Sequence, residues 1–187
     1  WMTAVPEQDG QWPFRQVPFQ YSLHIQEKNR AEPLHRYYLA EGPHSSHQEF
    51  AESLVQSIEN KGTVLVYNKT FENTILNHLK EEFDHLTTRI EKIQARMVDL
   101  MAPFRKNYRL PAMQGSYSIK AVLPALVPEL SYDNLAIGNG GDASATFYNL
   151  KHLENEAEKQ AIRNALLEYC GMDTMAMVRI LEKLRSI

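Results

Sequence analysis

Residues 63–67, Thr63-Val64-Leu65-Val66-Tyr67, form a short continuous apolar run that follows Gly62. A strand with one wet face alternates apolar and polar side chains; an unbroken run marks a strand buried on both faces. Such a strand needs cover on each side, which directs the chain towards an α/β sandwich. Earlier in the chain the pattern is different. Across residues 17–25, Val17, Phe19, Tyr21, Leu23 and Ile25 alternate with Pro18, Gln20, Ser22 and His24, the period of a half-buried strand. A polar turn over 28–33 separates it from residues 34–40, a hairpin partner.

Helical spacing fills most of the remainder. Ser45 or Ser46 caps a helix to about residue 60, with Phe50, Leu54, Val55 and Ile58 on one face. A second helix spans 70–83 with Phe71, Ile75, Leu76 and Leu79 as its stripe. Residues 85–101 read as a further helix, or as a helix followed by a short strand at Met97-Val98-Asp99-Leu100. Residues 117–126 have helical spacing, shortened or kinked by Pro124 and Pro128. Residues 131–141 read as a loop, Asp142 as the cap of a helix to about 153, and 154–170 and 172–186 as two closing helices.

The 187 residues suffice for one domain with a substantial core. No apolar run approaches the roughly 18 residues of a membrane span. A single cysteine, Cys170, rules out an internal disulfide and fits a reducing cytoplasm. The net charge of −3 does not favour nucleic-acid binding, though a local basic face is compatible with it. The chain opens Trp1-Met2-Thr3-Ala4, which reads as a fragment of a longer protein. His44 and His47 lack a second ligand pair for zinc, and Gly138-Asn139-Gly140-Gly141 lacks the Lys-Ser/Thr of a phosphate loop.

Two motifs carry candidate chemistry. Tyr169 and Asp173 lie four residues apart and project from one helical face. Met177 and Leu181 continue that face, so an ionised carboxylate stands on an apolar stripe. That is costly unless a cation, a hydrogen-bond donor or a metal meets it. The plainer readings are a buried hydrogen-bonded pair or a carboxylate satisfied by an arginine such as Arg109 or Arg163. The second motif, Tyr67-Asn68-Lys69-Thr70-Phe71-Glu72, puts a carboxylate just after the apolar strand, where α/β sheets bind ligands. Glu72 also suits the positive end of a helix dipole, which is the plainer reading of that residue alone.

Asn68-x-x-Phe71-Glu72 is similar to the second motif of DEDD-type 3′–5′ exonucleases, usually Asn-x-x-x-Asp, and Tyr169-x-x-x-Asp173 resembles their third motif in its tyrosine variant. The wider pattern resembles a bacterial family of unknown function, DUF2779, for which a ribonuclease-H-like fold is expected. That resemblance rests on residues 18–24 (Pro-Phe-Gln-Tyr-Ser-Leu-His), residues 115–124 (Gly-Ser-Tyr-Ser-Ile-Lys-x-Val-Leu-Pro) and Tyr169-Cys170-x-x-Asp173-Thr174. It implies a ribonuclease-H-like mixed sheet flanked by helices and lacking its complete first strand. It further implies that Asp173 and Glu72 ligate Mg²⁺ or Mn²⁺, that Tyr169 orients the attacking water, and that Asn68 supports the turn or a substrate phosphate. A solvated surface lysine is the plainer reading of Lys120, with contact to a phosphate backbone as the functional alternative. The implied reaction is in-line attack of water on the terminal phosphodiester of a DNA or RNA 3′ end, with two divalent cations.

The first exonuclease motif, Asp-x-Glu, does not occur in the 187 residues; Glu7-Gln8-Asp9 has the acids reversed. Glu72 replaces the usual aspartate. The expectation is therefore that this fragment binds metal poorly and is inactive by itself. The rival is a nuclease-like domain that has lost catalysis and acts as a nucleic-acid-binding or protein-interaction module. Asp99 is a further acid after an apolar run, and Cys170 is expected to be packed rather than reactive.

Overall fold

The computed structural model describes residues 2, 4, 12–28, 30–43, 45 and 47–187. Two strands, β1 (Gln20–Ile25) and β2 (Leu34–Leu39), pair antiparallel from Gln20 opposite Leu39 to Ile25 opposite Leu34. A second two-stranded sheet joins β3 (Val64–Val66) to β4 (Met97–Asp99) in parallel. Among the described residues seven α-helices accompany these strands in a mixed α/β arrangement: α1 (His47–Ser57), α2 (Lys69–Glu82), α3 (Thr87–Gln94), α4 (Ala102–Lys106), α5 (Ile119–Leu126), α6 (Gly140–Asn149) and α7 (Glu156–Arg185). No helix among the described residues is long and apolar enough to cross a membrane.

The two small sheets occupy one layer between two sets of helices, as side-chain parity shows. Val64 and Val66 of β3 join Tyr21 and Tyr38 of the hairpin in a cluster with Phe50, Val55, Leu79, Ile90 and Met97, which belong to the α1–α3 side. Leu65 and Tyr67 point the opposite way and join Phe19, Leu39, Phe147, Leu166 and Ile180 on the α5–α7 side. The apolar run at 63–67 thus contacts core on both faces, as its composition demands. It is nonetheless half-buried, because β3 has a strand neighbour on one edge only.

Exposure tells which strand of each pair is better covered. Val98 of β4, opposite Leu65, is 51% exposed, and Tyr37 of β2, opposite Ser22, is 58% exposed. Leu65 packs in the α5–α7 core, and Ser22 bonds Thr174 of α7. β1 and β3 are therefore the better covered strand of each pair, and they are not paired with each other among the described residues.

Several sequence expectations are corrected. β1 starts at Gln20, not residue 17: Pro18 has no N–H for a ladder, and Val17 and Phe19 are buried on the opposite core from Tyr21. Residues 97–99 take the strand alternative. Asn139 rather than Asp142 caps α6, its side chain accepting from the Asp142 N–H at 2.9 Å. Ser45 accepts from the Gly42 N–H ahead of α1, whereas Ser46 and His44 lie outside the described residues. The two closing helices are a single one. α7 continues through Gly171, whose helix penalty of about 1 kcal/mol is outweighed by burial of Leu166, Tyr169, Ala176 and Ile180.

Phe147 is fully buried and stacks on Phe19 with ring centroids 4.2 Å apart. Phe147→Ala is expected to lower unfolding free energy in urea titration by about 3–5 kcal/mol, whereas Val98→Ala, at an exposed strand position, stays within about 0.5 kcal/mol of the parent.

Candidate functional site

α7 delivers Tyr169 and Asp173 to one face, as their spacing predicts. Asp173 is half-buried and its Oδ1 accepts a hydrogen bond from the Tyr132 hydroxyl at 2.8 Å. Tyr169 directs its hydroxyl to the same carboxylate. Neither arginine considered from sequence is the partner. Arg163 donates to the carbonyls of Ala40 and Glu41, and Arg109 lies over the Tyr117 ring. Lys120 Nζ stands 5.5 Å from the centroids of both Tyr132 and Tyr169 and donates to the Gly138 carbonyl. Lys120 is therefore part of the Asp173 surroundings and not a solvated surface lysine.

Glu72 reaches the same place from α2. Asn68 precedes that helix in the left-handed conformation (φ 72°), and its side chain makes no capping bond. The Asn68 backbone N–H donates instead to Asp99 Oδ1 at 3.2 Å, and Asp99 Oδ1 also accepts from Met101 N–H at 2.9 Å. Asp99 is thus a tie between the ends of β3 and β4. Glu72 follows in the first turn of α2, half-buried, with no hydrogen-bond donor or cation against its carboxylate among the described residues.

The proton affinities record this crowding. Burial, and then the nearby Asp173 charge, push the Glu72 carboxyl up to about 7. Burial also raises Asp173, opposed by the hydroxyls of Tyr132 and Tyr169 and by the Lys120 charge. Both tyrosines are raised by burial and then by Asp173, so they stay protonated donors across the neutral range. Cys170 is pushed up to about 12 by burial, then by Asp173 and Glu72. It is a packed thiol, as expected.

Among the described residues no three His, Cys, Asp or Glu side chains converge as a metal-ligand set. Glu72 and Asp173 are two hard oxygen donors within electrostatic reach of each other, a donor type that suits Mg²⁺ or Mn²⁺. They fit part of a divalent-cation site, and the uncompensated Glu72 charge is what such a cation would offset.

Sequence reasoning missed Tyr132, which the loop reading of 131–141 concealed; the only available signal was an aromatic beside Asp133 in an otherwise polar stretch. It also missed how α7 is fixed. Thr174 Oγ1 donates to the Gly171 carbonyl at 3.2 Å and lies 2.6 Å from Ser22 Oγ and 2.8 Å from His24 Nδ1. Ser22 Oγ is 2.8 Å from His35 Nε2, and the rings of His24 and His35 stack at 4.3 Å. Burial, and then His35, bring His24 down to about 4, so this latch is neutral at pH 7. It anchors the residue next to Asp173 onto β1.

A family model described as a domain of unknown function, DUF2779, matches residues 1–118. The chain belongs to this family. In this DUF2779 chain the match includes Asn68 and Glu72 but ends before Lys120, Tyr132, Tyr169 and Asp173. Beyond the family, the chain is 26% identical over 203 residues to an uncharacterized protein, UU173, of Ureaplasma parvum serovar 3 (strain ATCC 700970). That alignment covers 95% of this chain and 29% of the relative, so the chain spans less than a third of that protein's length. No solved structure matches.

The DUF2779 site has a pH signature. Unfolded, a glutamate titrates near about 4.3; folded, Glu72 titrates at about 7. Between those values the folded state holds more protons, so this group's contribution is intact below about 4.3 and stability is lost as pH rises towards 7. Glu72→Gln is expected to have a higher urea midpoint than the parent at pH 8 in chelator-treated buffer, with the gap closing towards pH 4.

Proposed function

We propose that Glu72, Asp173 and Tyr169 belong to a metal-dependent 3′–5′ exonuclease site of the DEDD type in its tyrosine variant, hydrolysing nucleic-acid phosphodiesters. The observation that supports it most is that two carboxylates from distant parts of the sequence lie within electrostatic reach of each other, with no side-chain cation or donor against Glu72 among the described residues. Placement at the end of β3 and at the α2 N-terminus suits an α/β ligand site. β1 and β3, each with one strand neighbour among the described residues, are compatible with a ribonuclease-H-like mixed sheet.

In this reading Asp173 and Glu72 hold the divalent cations, which supply charge neutralisation at the entering and leaving oxygens. Tyr132 fixes the Asp173 carboxylate by its hydrogen bond. Tyr169, held protonated, orients the attacking water by its hydroxyl. Lys120 places a positive charge beside the two tyrosines, where a substrate phosphate would lie. Asn68 sets the strand-to-helix turn through its backbone.

The assay uses 5′-labelled single-stranded and duplex DNA and RNA with Mn²⁺, comparing the 187 residues with a longer natural protein of this family that contains them and an Asp-x-Glu. The longer protein is expected to shorten substrates from the 3′ end, and Asp173→Ala to slow it by at least about a hundredfold. The 187 residues alone are expected to be inactive. A folded, Mn²⁺-replete longer protein that leaves every end intact refutes the enzyme and favours a nuclease-like binding module.

A further inference from the structure

A cavity of about 310 Å³ is lined by Arg109, Pro111, Met113, Ser116 and Tyr117 among others. We propose that it is a subsite for one nucleotide of a single-stranded nucleic acid, with Tyr117 and the guanidinium plane of Arg109 stacking on the base and the free N–H groups of Arg109 binding a phosphate. This rests on the exonuclease reading and names the part of the substrate that the chain itself would hold.

Three features carry the assignment. The Arg109 guanidinium sits over the Tyr117 ring, 5.7 Å from its centroid, and forms no ion pair with any described residue. An arginine so placed presents a planar surface for a base and a fork of donors for phosphate oxygens. The volume is at the lower end of small-ligand cavities, the size for a single nucleotide unit. The walls are also preformed. Met113 is buried in the core, and Gln114 and Gly115 both adopt left-handed backbone (φ 49° and 79°). Among the described residues only Phe14, Asn68 and Gln114 are non-glycine residues with positive φ, so two of the three border the carboxylate pair and this cavity.

The cavity is tied to the carboxylates from two sides. The Tyr67 hydroxyl donates to the Tyr117 carbonyl at 2.6 Å, and Tyr67 immediately precedes the turn that presents Glu72. Three residues after Tyr117, in the first turn of α5, Lys120 reaches Tyr132 and Tyr169 beside Asp173. A nucleotide held by Arg109 and Tyr117 has its neighbouring phosphate directed towards that pair. With an overall charge of −3, attraction has to come from such a local cation and not from the protein as a whole.

The test is amide-resolved NMR titration of the 187-residue chain, metal-free, with 5′-AMP, adenosine and inorganic phosphate as separate probes. Saturable AMP shifts are expected over residues 109–120, with adenosine and phosphate each binding about tenfold more weakly. Arg109→Ala should reduce AMP to the level of adenosine, and Tyr117→Leu should weaken both nucleoside probes, the spectra reporting that each variant is folded. Shifts that do not saturate, that fall elsewhere, or that inorganic phosphate reproduces at equal affinity overturn the subsite. Because no cleavage is involved, AMP binding with an inactive longer protein refutes only the exonuclease reading, and cleavage without AMP shifts refutes only the subsite.

Discussion

Two like-charged carboxylates brought into one partly desolvated space govern how this molecule is built around its site. Burial and mutual repulsion both oppose the ionisation of Glu72, and only Asp173 has been given donors to ease it. Tyr132 and Tyr169 serve one carboxylate, Lys120 approaches through the faces of both rings, and among the described residues nothing comparable reaches Glu72. Folding therefore carries an electrostatic cost at neutral pH that an apolar pair would not impose. A cost retained at the end of a sheet strand is the usual mark of a site kept for a ligand.

The rest of the architecture keeps that pair in place. α7 runs as one long helix from its Asn155 cap to Arg185, so Asp173 cannot move independently of the core residues Leu166, Tyr169, Ala176 and Ile180. Arg163 fixes one part of the helix to the end of β2 through backbone carbonyls, and the Thr174 hydroxyl fixes another to Ser22 and His24 of β1. On the opposite side Asp99 binds the backbone at Asn68 and Met101, which sets the entry to α2 and so the direction of Glu72. α7, tied to β1 and β2, and α2, tied to the ends of β3 and β4, thus bring Asp173 and Glu72 within electrostatic reach of each other.

Much of this was legible in the chain. The apolar run at 63–67, the hairpin and the helical stripes gave the layers, because hydrophobic periodicity reports local geometry directly. The four-residue spacing of Tyr169 and Asp173 gave their shared face for the same reason. What escaped were matters of long-range contact. The donor to Asp173 turned out to be Tyr132, from a loop without periodicity, and the arginines that charge alone nominated are engaged with backbone carbonyls and an aromatic ring. Gly171 reads as a break between helices because intrinsic propensity is blind to the buried stripe that carries α7 through it. The half-exposure of β3 was equally hidden, since a sequence shows that a strand is apolar but not how many of its edges are paired.

The central claim is that Glu72 and Asp173 form one anionic site that takes a divalent cation. Its most direct test follows the side-chain carboxyl ¹³C signal of Glu72 through a pH titration, first with chelator and then with Mg²⁺ added until no further change occurs. The account predicts a midpoint near 7 without metal, a return towards the ordinary carboxylate range with Mg²⁺, and loss of the Mg²⁺ effect in Asp173→Asn. A Glu72 midpoint that Mg²⁺ leaves unmoved, or that is ordinary from the start, contradicts it.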